Sequence, residues 1–206
     1  MALAEAVEKA KSFKSVKFDQ SIECALHLGI DPKQADQLVR GSISLPHGIG
    51  KQKKVIAFCE DADVEAAKKA GAIEAGCDEL IKKVSDGWMD FDVVIASPKV
   101  MSKVGKLGRV LGPQGKMPSP KNGTVTADVA TAVAEFAAGK VEFRNDAGGN
   151  VHVVVGKQSF ETEKLVGNIE AFLSHIRKIK PAAAKGAYIK KMCISATMSP
   201  SVTVST

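Results

Sequence analysis

VIAFCEDADVEAAKKAGAIEAGCDELIKKVSDGWMDFDVVIA, residues 55–96, is the stretch whose rhythm decides the fold. Val55–Cys59 and Phe91–Ala96 are continuous apolar runs, the pattern of strands buried on both faces. Between them, Asp63 to Ala70 predicts a short helix and Ala72-Ile73 a very short strand. Asp78 is placed to cap a helix that runs through Val84. Doubly buried strands alternating with helices imply a parallel sheet covered on both faces, a three-layer α/β arrangement. The acidic run Glu60-Asp61-Ala62-Asp63 fits a helix N-terminus, where carboxylates complement the helix dipole, better than a magnesium site.

On the C-terminal side lies a glycine- and proline-rich stretch, Gly105–Gly123. Its Gly112-Pro113 and Pro118–Pro120 predict an extended loop, because proline fixes φ. Thr126 can then cap a helix with Val129, Val133 and Phe136 on one face, stopped by Ala138-Gly139. On the N-terminal side, SLPHGIGK (Ser44–Lys51) reads as a linker.

Farther out the rhythm changes on both sides. Ala2–Phe13 predicts an amphipathic helix. Val16, Phe18, Ile22, Cys24, Leu26 and Leu28 alternate with polar partners, as a half-buried strand does, and Asp31-Pro32 marks a turn or helix start. Past residue 140, Val141–Phe143 and Val151–Val155 predict strands with the Asp146–Asn150 turn between them. Leu165, Ile169, Phe172, Ile176 and Ile179 stripe a helix that ends before Pro181. Tyr188–Thr197 and Val202–Val204 are β-prone. The 47 residues before the middle region are near the lower limit for folding alone. The expected organisation is therefore 48–139 inserted into a domain built from 1–47 and 140–206. The chain would cross between them twice, with Pro46, His47, Gly48, Gly139 and Lys140 as a two-stranded hinge.

Composition narrows the function. At 45% hydrophobic and 25% charged residues the chain has the balance of a folded protein. No apolar run approaches the ~20 residues of a membrane span, and the amphipathic opening AEAVEKAKSF does not have the pattern of a signal peptide. Cys24, Cys59, Cys77 and Cys193 are scattered with no CxxC, against a disulfide scaffold or zinc ribbon. Net charge is +6 and unevenly spread. Residues 140–206 carry 10 basic and 5 acidic groups, and residues 99–121 hold Lys99, Lys103, Lys106, Arg109, Lys116 and Lys121 with no acid. Gathered cations point to a polyanion.

Enzyme motifs are missing. Gly115-Lys116 and Gly50-Lys51 both lack the spacing of a phosphate loop, and no G-x-G-x-x-G or G-x-S-x-G occurs. His27, His47, His152 and His175 include no i, i+4 pair, and Trp88 reads as a packing residue. No cofactor and no metal is expected. A nucleotide-using enzyme built on the middle region is the rival reading that these absences disfavour.

Five ordered blocks carry a resemblance: LGIDPKQADQLVRGSISLPHGIGK (28–51), DGWMDFDVVIASP (86–98), GKLGRVLGPQGKMPSPKNGTVT (105–126), EFRNDAGGNVHVVVGKQSF (142–160) and TMSPSV (197–202). Together they resemble the bacterial type of large-subunit ribosomal protein one, the family of the mobile ribosomal stalk. The resemblance implies an α/β protein of two domains, an α+β domain formed by both termini and an inserted Rossmann-like three-layer α/β domain. It implies no catalytic activity, a cytoplasmic location on the large ribosomal subunit, and a monomer outside the ribosome with no membrane partner. Implied partners are large-subunit rRNA, exit-site tRNA and the protein's own mRNA, the last as a translational repressor. A stand-alone RNA-binding repressor is the second alternative.

Carried onto this chain, the family's RNA surface comprises Lys17, Phe18, Ser21 and Glu23; Gly156, Lys157 and Ser159; and Thr197, Met198, Ser199 and Pro200. Lysines neutralise phosphates, while hydroxyls and bare backbone reach 2′-hydroxyls. Phe18 and Met198 have a competing reading as core residues. Ser199 stands where the family usually has glycine. Lys106, Arg109, Lys116 and Lys121 are expected as auxiliary RNA contacts, or else as a solvated cationic loop.

Overall fold

The computed structural model describes residues 1–13 and 16–205. In chain order its elements are α1 (Leu3–Ser12), β1 (Ser21–Leu28), β2 (Arg40–Ile43), β3 (Val55–Phe58), α2 (Asp61–Lys69), β4 (Glu74–Gly76), α3 (Asp78–Ser85) and β5 (Val93–Ala96). Then follow α4 (Met101–Val104), α5 (Gly108–Leu111), α6 (Val129–Ala137), β6 (Val141–Arg144), β7 (Asn150–Lys157), α7 (Thr162–Lys178), β8 (Ile189–Ala196) and β9 (Val202–Val204). The chain divides into two compact units, Met1–Gly50 with Val141–Thr206, and Lys51–Lys140.

The second unit is a parallel sheet of order β4-β3-β5. Every residue of β3 and β5 is buried, and strand geometry sends alternate side chains to opposite faces. Val55, Ala57, Val93 and Ile95 pack with Ala67 of α2 and Val129, Val133 and Phe136 of α6. Ile56, Phe58, Val94 and Ala96 pack with Leu80 and Val84 of α3 and with Val104, Leu107 and Leu111. Those two packings are the three layers.

Several local expectations need correction. The short strand is Glu74–Gly76, not Ala72-Ile73: Ala72 N–H still closes the end of α2 on Ala67 O, at 3.1 Å. Asp78 is the first residue of α3 rather than its cap, and its carboxylate pairs with Lys103. The cap of α6 is Asp128, whose carboxylate accepts from Thr131 N–H at 3.1 Å. Thr126 instead donates to Asp128 O at 3.0 Å. The glycine- and proline-rich stretch is not extended throughout: its first part is helical, while residues 116–119 have no regular structure and Ser119 is extended. Helical turns cover Pro98–Leu111, and Gly112 is itself helical at φ −59°, ψ −54°. Val100, Val104, Leu107 and Leu111 recur at helical spacing and are buried; the interleaved Gly105, Gly108 and Gly112 hide that period.

In the first unit an antiparallel sheet of order β7-β1-β8-β9 turns Ile22, Cys24, Leu26 and Leu28 inward, into one core with residues of α1 and α7. The alternation of β1 begins at Ser21, so Val16 and Phe18 lie outside the strand. β6 pairs with β2 in a separate two-stranded sheet. Just past its end the isolated Asn145–Val151 bridge links it to β7, so the Asp146–Asn150 turn joins two sheets.

Ser44–Gly50 is not a slack linker. Leu45 and Ile49 are buried. The fully buried Asn168 of α7 accepts from His47 N–H (3.0 Å) and donates to Gly48 O (2.9 Å) and Val155 O (2.8 Å). Gly50 has φ +73°, and a Cβ there would lie 2.8 Å from the Phe160 ring, so only glycine fits. Pro46, His47 and Gly48 are thus fastened to the first unit. At the other crossing, Gly139 and Lys140 are fastened to the second: Lys140 Nζ pairs with Glu135, and Lys140 O accepts from Lys53 Nζ at 2.8 Å. The connections lie at Gly50–Lys51 and Lys140–Val141. Asn168→Leu would take this partner from His47 N–H, Gly48 O and the buried Val155 O. The expected loss is about 2–4 kcal/mol of stability, read as a lower urea midpoint.

Candidate nucleic-acid interface

β-pairing alone brings three remote segments to one end of the first unit's sheet. Ser21 at the start of β1 lies opposite Lys157 at the end of β7, and Ile22 lies opposite Ala196 at the end of β8. The segments just beyond these ends therefore meet.

Gln20 joins them. It is 1% exposed. Its side chain accepts from Met198 N–H at 2.8 Å and donates to the Gln158 side-chain oxygen at 3.1 Å, while its backbone oxygen accepts from Gln158 N–H at 2.8 Å. Gln158 in turn donates to Lys11 O at 3.2 Å, at the end of α1. Beside this node the Asp19 carboxylate accepts from Ser159 N–H (3.1 Å) and Ser159 Oγ (2.8 Å). Lys157 Nζ donates to Ser21 Oγ at 3.0 Å. A hydrogen-bonded network of this kind, built on a buried glutamine, fixes one geometry.

The scaffold leaves a distinct outer face. Phe18 is 53% and Met198 67% exposed, which overturns the core reading of both. Lys17, Ser159, Thr197 and Pro200 are exposed, and Ser21, Glu23, Lys157 and Ser199 are half-buried. Two bare apolar side chains flanked by lysines and hydroxyls can lie against sugar or base faces while the cations meet phosphates.

Three expected residues act inward. Gly156 is buried, and a Cβ there would come within 2.7 Å of Leu165 and 3.0 Å of Phe160; it permits the close approach of α7 rather than offering backbone to a ligand. Thr197 Oγ1 accepts from Ser21 N–H at 3.1 Å, so its hydroxyl already closes the sheet end. Ser199 needs no left-handed backbone, since every positive φ in the described chain belongs to glycine. Its Oγ accepts from Ala196 N–H at 3.0 Å and tightens the turn. Asp19, Gln20 and Gln158 were missed. A polar side chain that bonds inward has no sequence signature: Gln158 lies within the quoted 142–160 block, and nothing local marks it or Gln20 as a joining residue.

In the second unit Lys106, Arg109 and Lys121 are exposed. Lys116 is not a free cation: its ammonium donates to Phe91 O at 2.6 Å and lies 4.8 Å from the Phe91 ring centre. It is a packing residue, which removes it from the auxiliary set. A hollow of about 850 Å³ opens beside Gly76, at the β4 end from which the chain enters α3. Carboxylates of Glu60, Asp61, Glu74, Asp78 and Glu79 line it together with Lys68, Lys83, Lys99 and Lys103, and Lys83 pairs with Glu74, Lys99 with Glu60 and Lys103 with Asp78. Among the described residues no His, Cys, Asp and Glu side chains group as a metal site, and no helix is long and apolar enough to cross a membrane.

Removing the Gln20 side chain (Gln20→Ala) frees Met198 N–H and loosens the 197–200 turn. Amide exchange at Met198 should accelerate by roughly tenfold or more, the equivalent of one lost hydrogen bond of about 1–1.5 kcal/mol, with the centre of β1 unchanged.

Comparison with known proteins agrees with this architecture. The model of the Ribosomal protein L1p/L10e family matches residues 9–200. A large ribosomal subunit protein uL1 of Chlorobium chlorochromatii is 52% identical over 202 residues, 98% of this chain and 88% of the relative. That of Kosmotoga olearia is 54% identical over 198 residues, 96% and 86% of the two chains. That of Thermobifida fusca is 49% identical over 201 residues, 98% and 86%. The chain belongs to the Ribosomal protein L1p/L10e family.

Proposed function

We propose that this protein is a structural constituent of the large ribosomal subunit that binds rRNA through the joined ends of β1, β7 and β8. Its relatives are named as large-subunit proteins. The observation that carries the RNA reading is the face built on Gln20: Phe18 and Met198 exposed together between Lys17 and Lys157, on segments that no local sequence window contains. Phosphate neutralisation supplies salt-dependent affinity, and the fixed apolar and hydroxyl face reads the shape of a folded junction. No reacting group is needed, and the role is structural rather than catalytic.

Finer roles follow from the same reading. The first unit anchors the protein to rRNA. The second is an inserted domain that moves on the Gly50–Lys51 and Lys140–Val141 connections, and its Lys106, Arg109 and Lys121 touch RNA phosphates. Departing exit-site tRNA is a partner. A fold in the protein's own mRNA that mimics the rRNA junction would occupy the same face and give repression; competition between that mRNA leader and the rRNA fragment tests this.

The direct test is affinity for a large-subunit rRNA stalk fragment against an unrelated hairpin across a salt series. Selective binding that persists at physiological salt supports the proposal; equal binding that vanishes with salt contradicts it. Phe18→Ala removes an exposed ring, so the fold should be unaffected while binding weakens by about 1–3 kcal/mol, the worth of one stacked contact. Lys157→Ala should reduce the salt slope by about one unit.

A further inference from the structure

Beyond Glu170 the chain carries no acidic side chain; its charges are Arg177, Lys178, Lys180, Lys185, Lys190 and Lys191. All six are exposed. Among the described residues none of them forms an ion pair, whereas Lys54, Lys83, Lys99 and Lys103 of the second unit each pair with a carboxylate. Two of the six, Arg177 and Lys178, lie in the last turn of α7, where cations offset the negative end of the helix dipole. Lys180, Lys185, Lys190 and Lys191 lie past the helix and have no such account.

The topology gathers them. α7 leaves the Lys157–Phe160 end of the sheet and runs 17 residues, about 25 Å at 1.5 Å per residue. β8 runs back eight residues to Thr197, roughly 27 Å at 3.4 Å per residue. The end of α7 and the start of β8 therefore meet at the opposite end, where Leu28 pairs with Ile189 and Gly29 N–H donates to Tyr188 O at 2.7 Å. A hollow of about 250 Å³ there is lined by Arg177, Lys180, Tyr188 and Ile189, with Lys180 Nζ 5.9 Å from the Tyr188 ring centre. The Tyr188 hydroxyl is buried with no hydrogen-bond partner among the described residues, and burial pushes its pKa up to about 12. Tyr188 thus contributes a neutral ring. Two carboxylates at this end serve their own turns: Asp31 accepts from Lys33 N–H, and Asp146 from Gly148 and Asn150 N–H.

We propose that this end of the first unit is a second RNA surface, taking the phosphodiester backbone of an RNA segment other than the one held at Lys17 and Lys157. The proposal rests on the reading that the unit binds RNA. Unpaired cations spread over a helix end, a turn and a strand match regularly spaced phosphates. Lys180 lies over the ring of Tyr188, which is packed into the core and anchors the start of β8 beneath the patch. A short acidic peptide would not need so wide a spread.

The test uses the full chain and a variant carrying Arg177→Gln, Lys180→Gln, Lys185→Gln, Lys190→Gln and Lys191→Gln, with an unchanged thermal melt as the check on folding. Both are titrated with a plain RNA duplex of about 20 base pairs, two helical turns, and with the rRNA stalk fragment. The variant should bind the duplex roughly tenfold or more weakly, with a log–log salt slope smaller by about 2–4 units, while keeping its preference for the stalk fragment over a hairpin. Unchanged duplex affinity and slope would overturn the inference. So would displacement of the wild-type chain's partner by polyglutamate but not by duplex, which would assign the patch to an acidic protein. Loss of the wild-type preference for the stalk fragment would instead count against the first surface, and the duplex comparison would still read the second.

Discussion

The structure depends on the pairing of β1 on both edges. Ser21–Leu28 comes from the N-terminal quarter, yet its partners β7 and β8 both come from beyond residue 149. Its inward residues Ile22, Cys24, Leu26 and Leu28 share a core with α1, and the larger part of that core comes from α7 and those strands. The N-terminal segment cannot bury its apolar face, or satisfy its backbone, without the C-terminal third. Whatever lies between must leave and return as an insertion. That pairing also creates the candidate surface: strands whose ends coincide must bring their flanking segments together, and Gln20 turns that proximity into one hydrogen-bonded node.

The long-period features were legible in sequence. Residues 55–96 showed doubly buried strands between helices, and Leu165–Ile176 showed an amphipathic helix, because burial dictates those periods directly. The segments 17–23, 156–159 and 197–200 could be singled out through a family resemblance only. Local pattern does not reveal that distant strand ends coincide. The misreadings share one cause, tertiary packing overriding local composition. Glycines inside 99–112 hid a helical apolar period. Glycine and proline in 44–50 suggested slack where Asn168 and Phe160 demand close packing. Lys116 looked like any solvated lysine, and nothing in its neighbours in sequence shows that its ammonium caps the Phe91 carbonyl.

Charge follows the same two-part logic. In the second unit most of the ion pairs formed are exposed and of small energetic weight, and two of them tie Lys99 and Lys103 to the acids Glu60 and Asp78 at the starts of α2 and α3. In the first unit positive charge collects at both ends of one sheet, while Asp19, Asp31 and Asp146 accept hydrogen bonds from the backbone of neighbouring loops and turns. A polyanion meeting this unit finds a shaped face at the Gln20 end and an unpaired cationic face at the Tyr188 end, linked by the full length of α7 and β8.

The central claim is that one nucleic-acid face is assembled from three segments far apart in sequence. Hydrogen–deuterium exchange of the full chain, with and without the rRNA stalk fragment, tests it most directly. The account predicts simultaneous protection at 17–23, 156–160 and 197–200 on adding RNA, with the same RNA dependence at all three. Protection at one of these segments without the others, or protection confined to residues 51–140, would contradict it.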